Sequence, residues 1–369
     1  MKRVDFENGT VTGNILEAAL PMLVAQILNL LYNIVDRIYI ARIAEVGTAA
    51  LGAVGLCFPL IVIITAFANL FGNGGAPLFA IQRGQKDERK AVAIMNTSFT
   101  MVCASAIVLM VVGFLFARPI LILFGASDNS LVYALPYMMI YLLGTLPSMV
   151  AVGMNPFINA QGYSLIGMCS VAVGAGANLL LDPLFIFGLG FGVRGAAIAT
   201  VLSQCLSAIF VFYFLTKKSE LKVRLLKKNE IAACMGYAKN IISLGMAGFI
   251  MQLTNSLVTI CCNNVLSVTG GDIYISVMTI VSSVRIITNP ELQLWGAPSC
   301  TCAKGRNGDG SDDSCLFRCD MEHHYSGTKT FDPDLQLGRA ADQRCSSCIE
   351  PVFCCIYLYG PAVYGTDGI

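Results

Sequence analysis

The chain has 369 residues, of which 56% are hydrophobic and only 13% charged, with a net charge of +1 and a mean hydropathy of +0.69. Soluble domains carry about 25% charged residues, so the composition excludes an ordinary soluble domain and points to a polytopic membrane protein, while the near-neutral balance offers nothing to a nucleic acid. Fifteen cysteines could suggest a disulfide scaffold, but the seven up to Cys262 lie singly or as one pair within apolar runs, where cysteine acts as a small hydrophobe.

The N-terminal "MKRVDFENGTVTGN" is polar for too long and too mixed in charge for a signal peptide. A helix needs about 20 apolar residues to cross the hydrocarbon layer. By that measure eight spans are predicted, over roughly 15–40, 48–71 with a Gly/Pro-rich extension to 81, 91–116, 131–160, 165–187, 193–215, 231–265 and 272–287. The segments then assigned to the inside, "MKR", "QRGQKDERK", "QGYS" and "TKKSELKVRLLKKNE", hold twelve Lys and Arg residues, against Arg42, Arg118 and Arg194 outside. This bias orients the N-terminus to the cytoplasm. The segment 216–232 reads as a basic cytoplasmic linker and hinge, solvated beside anionic lipid. A weak internal similarity between "ALPMLVAQILNLLYN" and "SLGMAGFIMQLTNSL" suits a transporter of two related halves.

Ionisable groups within spans are costly, about 2.5–3.5 kcal/mol at a helix centre, and normally face a cavity or a partner. Asp36 shares a helical stripe with Gln26, Asn29 and Asn33, with Tyr32 one turn below, so the stripe is expected to line a protein interior. On the fifth span Asn178 and Asp182 are four apart, and Pro183, which has no N–H to donate, leaves the Leu179 carbonyl without its helical donor. Carboxylate, amide and carbonyl oxygens are hard ligands suited to an alkali cation or to holding a proton. At 1.5 Å per residue Asp36 lies roughly 27–31 Å along the first span, Asp182 ~26 Å along the fifth, and Thr200 about 10 Å below the outer surface. The four residues therefore share a level, whereas Asn155 and Asn159 fall near the inner end of the fourth span. Glycine-rich stretches and Pro59, Pro77, Pro136 and Pro147 allow close packing, kinking or both.

The stretches "LPMLVAQILNLLYNIVDRIYIAR", "GTAALGAVGLCFPL", "GNGGAPLFAIQRGQKDERKA", "MNPFINAQGYSLIGM" and "GANLLLDPLFIFGLGFGVRGAAIATVLSQ" resemble the N-terminal six-helix lobe of multidrug and toxic compound extrusion (MATE) transporters, over roughly residues 12–290. The resemblance implies two six-helix lobes that export organic cations or drugs in exchange for Na⁺ or H⁺ by alternating access, with no enzymatic step and no resident cofactor. Matched motif by motif, it places the coupling cation or proton at Asp36, Asn178, Asp182 and Thr200. The substrate cavity would then be lined by Gln26, Asn29, Tyr32 and Asn33, and a hinge would form at Pro183. A lipid-linked oligosaccharide flippase of related fold is the alternative, although pyrophosphate would favour basic spans over these acidic ones.

The expected organisation is thus an all-α integral membrane protein with a six-helix transmembrane lobe (1–215), the linker (216–232), two helices opening a second lobe (233–290) and an atypical Cys-rich tail (291–369). The tail carries eight cysteines, both histidines and the single tryptophan without a membrane-length apolar run. It reads as a frameshift or truncated gene, which would leave a fragment without its second lobe. His323, His324, Cys345 and Cys348 lack the spacing of a zinc finger, which weighs against a metal or redox enzyme.

Overall fold

The computed structural model describes residues 11–43, 46–224 and 228–288, and every regular element among them is helical. The helices are α1 (Val11–Ala41), α2 (Gly47–Gly84), α3 (Glu88–Leu123), α4 (Asp128–Leu143), α5 (Thr145–Ala160), α6 (Ser164–Pro183), α7 (Gly192–Tyr213) and α8 (Lys228–Thr288). Single π-helical turns, Leu184–Gly188 and Phe214–Lys218, extend α6 and α7. Among the described residues six helices are long and apolar enough to cross a membrane, or seven if α4 and α5 count as one bent span. This is a multi-pass membrane protein.

The expected fourth span is broken. α4 and α5 meet at Gly144 and bend by 57°. Pro147, expected to kink a helix, lies instead in the first turn of α5, where the missing N–H would have had no helical partner. Nor does proline interrupt α2, which continues through Pro59 and Pro77 to Gly84. The third span bends where its end was predicted: Phe116 leaves helical geometry (φ −114°, ψ 17°) one turn before Pro119, whose ring crowds the preceding carbonyls.

α8 runs for 61 residues, or about 90 Å at 1.5 Å per residue, several times the hydrocarbon thickness. Its interruption at Gly271 (φ +67°, ψ −162°) divides it into limbs of residues 228–270 and 272–288. That backbone region is closed to side-chain-bearing residues. The break falls in the gap predicted between the seventh and eighth spans.

Burial follows from composition. α2 is rich in small residues and forms the centre of the bundle, with Ala50, Ala53, Cys57, Ala66 and Ala68 all buried against neighbouring helices. Near its C-terminal end Phe79 packs edge-to-face on Phe157 of α5, centroids 5.7 Å apart. Large apolar side chains such as Leu115, Leu180 and Val268 point outward, which costs nothing in hydrocarbon and would be unfavourable over so wide an area in water. Polar caps close the loops. Asp87 accepts the Lys90 N–H (3.0 Å) at the start of α3, and Ser127 and Ser130 form a reciprocal capping box on α4.

The linker is not a free solvated hinge over its first part. Residues 219–224 are strapped across the bundle, with Leu221 and Val223 buried and Lys222 and Arg224 exposed. Gln161, fully buried, pairs with both backbone groups of Leu221: its Nε2 donates to the carbonyl (3.5 Å) and its Oε1 accepts the N–H (3.4 Å). Asn96 accepts the Arg224 N–H at 2.8 Å, and Arg83 pairs with Glu220. The extreme N-terminus and the whole tail 291–369, with its histidines and cysteines, lie outside the described residues.

Candidate cation site

Asp182 and Asn178 occupy one face of the last turns of α6, and both are buried. The Asn178 Nδ2 donates to Asp182 Oδ1 at 3.2 Å. α1 packs along α6 and sets the Asp36 carboxyl beside that of Asp182. Three hard oxygens remain shielded from solvent without a donor: Asp36 Oδ1, Asn178 Oδ1 and Asp182 Oδ2. Buried acceptors of this kind are costly unless a proton or cation satisfies them. Among the described residues no three His, Cys, Asp or Glu side chains converge as a metal cluster, so neutral oxygens would complete any coordination here. Two carboxylates and an amide oxygen suit a monovalent cation or a proton in charge and hardness.

Thr200 is on α7, which packs against α6. Its hydroxyl donates to the Ala196 carbonyl (2.9 Å), so its proton serves its own helix and only its lone pairs are available to a cation. Pro183 closes α6 immediately after Asp182, and the backbone then widens into a π turn in which Leu189 N–H reaches Leu184 O at 2.9 Å. Such turns recur at functional sites because they redirect side chains without breaking the helix.

Tyr32 stands beside Asp36 and Asp182 as the stripe predicted. The rest of the stripe departs from expectation: Gln26 and Asn29 are exposed, and Asn33 turns its Nδ2 back to the Asn29 carbonyl at 2.6 Å. The described helices thus leave Gln26 and Asn29 unenclosed. Asn155 and Asn159 lie elsewhere, as the depth argument required. Asn155 Nδ2 donates to Gly167 O (3.0 Å) and Ser170 Oγ (2.7 Å), tying α5 to α6.

Sequence reasoning missed three contributors. Tyr137 of α4, like Tyr32, lies within electrostatic reach of the carboxyl pair, and it stacks on Tyr141 with centroids 6.4 Å apart. Gln204 of α7 donates its Nε2 to the Tyr141 hydroxyl at 3.3 Å. The four-residue spacing of the two tyrosines, and of Thr200 and Gln204, was the available signal.

The model of the MatE domain family matches residues 21–184, a stretch containing Asp36, Asn178 and Asp182. Over that stretch the chain is similar to MATE transporters. The multidrug export protein MepA of Staphylococcus haemolyticus (strain JCSC1435) is 26% identical over 292 residues, covering 79% of this chain and 63% of the relative. Among solved structures, the MATE multidrug transporter DinF-BH is 29% identical with a TM-score of 0.71, over 80% of this chain and 66% of that one. An inward-facing multidrug resistance MATE transporter of the MOP superfamily is 25% identical with a TM-score of 0.64, over 76% and 63%. The chain therefore spans about 63% of the length of the curated relatives it matches.

Proposed function

We propose that this chain carries the ion-coupled lobe of a secondary active exporter that moves organic cations or drugs out of the cell in exchange for Na⁺ or H⁺. One observation carries the reading: the shielded, donorless oxygens of Asp36, Asn178 and Asp182 on two neighbouring membrane helices. An adjacent carboxyl pair is held in low dielectric, where uncompensated charge is expensive. Binding of a cation removes that cost, and with it the preference of α1 for its present packing. Asp36 and Asp182 take the charge change, with Asn178 and Thr200 as neutral oxygen partners. Pro183 and the π turn beside it give α6 a place to bend. Tyr32 and Asn33, with Gln26 and Asn29 on the exposed face of α1, offer amphipathic contacts to a cationic substrate, the chemical class suited to an acidic wall.

Transport by rocking one lobe against another requires no bond-making step and no resident cofactor, since the moving ion is itself a substrate. The charge pattern of the connections supports an N-terminus-inside orientation, here assigned to the cytoplasmic membrane and its lipids. The proposed division is a six-helix lobe over 1–215, a linker over 216–232 and two helices over 233–290, with α8 itself starting at Lys228. The acidic pair disfavours a pyrophosphate-linked substrate.

The deciding experiment is efflux of a fluorescent organic cation from cells expressing the chain, with Asp36→Asn and Asp182→Asn compared at equal membrane abundance. Loss of export in both variants is expected. Export that survives both substitutions would overturn the assigned site.

A further inference from the structure

The same helix that carries Asp36 also carries a basic residue within its span, and the transport reading above leaves it unused. Arg37 Nη1 donates to the backbone carbonyl of Thr279 at 3.0 Å, in the limb of α8 beyond Gly271. Its Cζ lies 5.4 Å from the centroid of the Phe58 ring on α2. One side chain thus joins α1, α2 and the outer limb of α8.

The surroundings determine what that junction can do. The 272–288 limb is seated closely on α2, where a Cβ at Gly52 would lie 2.6 Å from Ser276 Oγ and one at Gly55 would overlap Thr279 Oγ1. Ser276 Oγ donates to Thr48 O at 2.8 Å, and Ser127 Oγ of α4 donates to Asp272 Oδ2 at 2.7 Å. α2 and α4 therefore hold the limb from the compact part of the bundle. α1 differs from both: only 6% of its apolar window is buried, against 61% for α2. A lightly packed helix can shift without opening a cavity, whereas a close-packed one cannot. The guanidinium is a rigid planar fork, and its hydrogen bond is strengthened by low-dielectric surroundings.

We propose that Arg37 is a positioning residue that passes movement of α1, set off when the Asp36 and Asp182 pair takes up its cation, to the outer limb of α8. The proposal rests on the cation-site reading and adds the route by which the first six-helix unit informs the helices that follow it. The carbonyl acceptor on Thr279 is backbone, so the link depends on Arg37 and on the ring that steadies it, not on the Thr279 side chain.

The test is hydrogen exchange of the purified chain in lipid nanodiscs, with Na⁺ added or with the pH lowered, rates corrected for intrinsic exchange. In the unsubstituted chain either ion is expected to alter exchange in segments 32–41, 176–188 and 272–281. In Arg37→Gln, and independently in Phe58→Leu, the first two segments keep their response and 272–281 loses it. A response at 272–281 that persists in both variants overturns the proposal. So does a uniform, ion-independent rise in exchange in all three segments, which would mark a merely structural role. Absence of any response at 32–41 and 176–188 in the unsubstituted chain overturns the cation-site reading itself, and the coupling with it.

Discussion

Asn178 Nδ2 donates to Asp182 Oδ1 at 3.2 Å across one turn of α6, leaving the amide oxygen of Asn178 and the second oxygen of Asp182 shielded and without donors. The amide thus orients the carboxylate with its N–H while supplying a neutral oxygen. Asn178→Leu removes both. A hydrogen bond to a charged group contributes about 1.5–3 kcal/mol, and each 1.4 kcal/mol is about tenfold in an equilibrium constant. The coupling-ion concentration for half-maximal efflux should therefore rise by at least about tenfold, measured as the Na⁺ or H⁺ dependence of fluorescent-cation export.

Gln161 answers both backbone groups of Leu221 in a buried position; Gln161→Leu strands the Leu221 N–H, while the carbonyl keeps the Ser219 hydroxyl at 2.7 Å. The stranded N–H costs about 1–3 kcal/mol. The strap 219–224 should detach locally, seen as faster hydrogen exchange there, while α2 and α5 remain protected. Gln161→Glu keeps the acceptor for the Leu221 N–H and should release the strap less.

At Gly271 the backbone has φ +67° and ψ −162°, which a side chain cannot adopt without strain. Strain of this kind costs about 1–3 kcal/mol. Gly271→Ala should lower the thermal midpoint of the purified chain. Gly248, at which an added Cβ meets nothing within 4 Å, is the control and should tolerate alanine.

Asp87 lies outside the spans at the start of α3, and the Lys90 backbone N–H, with the Lys90 ammonium 3.0 Å away, holds its carboxyl below the ordinary value of 3.8. A depressed folded value means that the cap's contribution is present above the unfolded value and is lost as pH falls through the folded one. The first turn of α3 should accordingly stay protected at neutral pH and fray only in strong acid. Asp87→Ala should fray it at every pH, read as hydrogen exchange at 88–92.

Which parts of this were legible in the sequence depended on range. Span limits near Phe116, Ala160 and 271 followed from apolar runs, prolines and glycines, because those act through the local backbone. Asp36 and Asp182 were legible because a carboxylate in hydrocarbon is too costly to be incidental, and depth follows from the helical rise alone. The 57° bend at Gly144 was not legible, since glycine permits a bend and only packing selects it.

The sequence by itself determined the all-helical membrane class and gave Asp36, Asn178, Asp182 and Thr200 an expected common level, because hydrophobic length and a fixed rise per residue are properties of single helices. Tertiary structure alone decided which residues meet. It brought Tyr137 within electrostatic reach of the carboxyl pair, left Gln26 and Asn29 exposed, bound the linker through Gln161, and joined Arg37 to Thr279, 242 residues away. Each of these depends on which helix lies beside which, and local periodicity carries no information about neighbours.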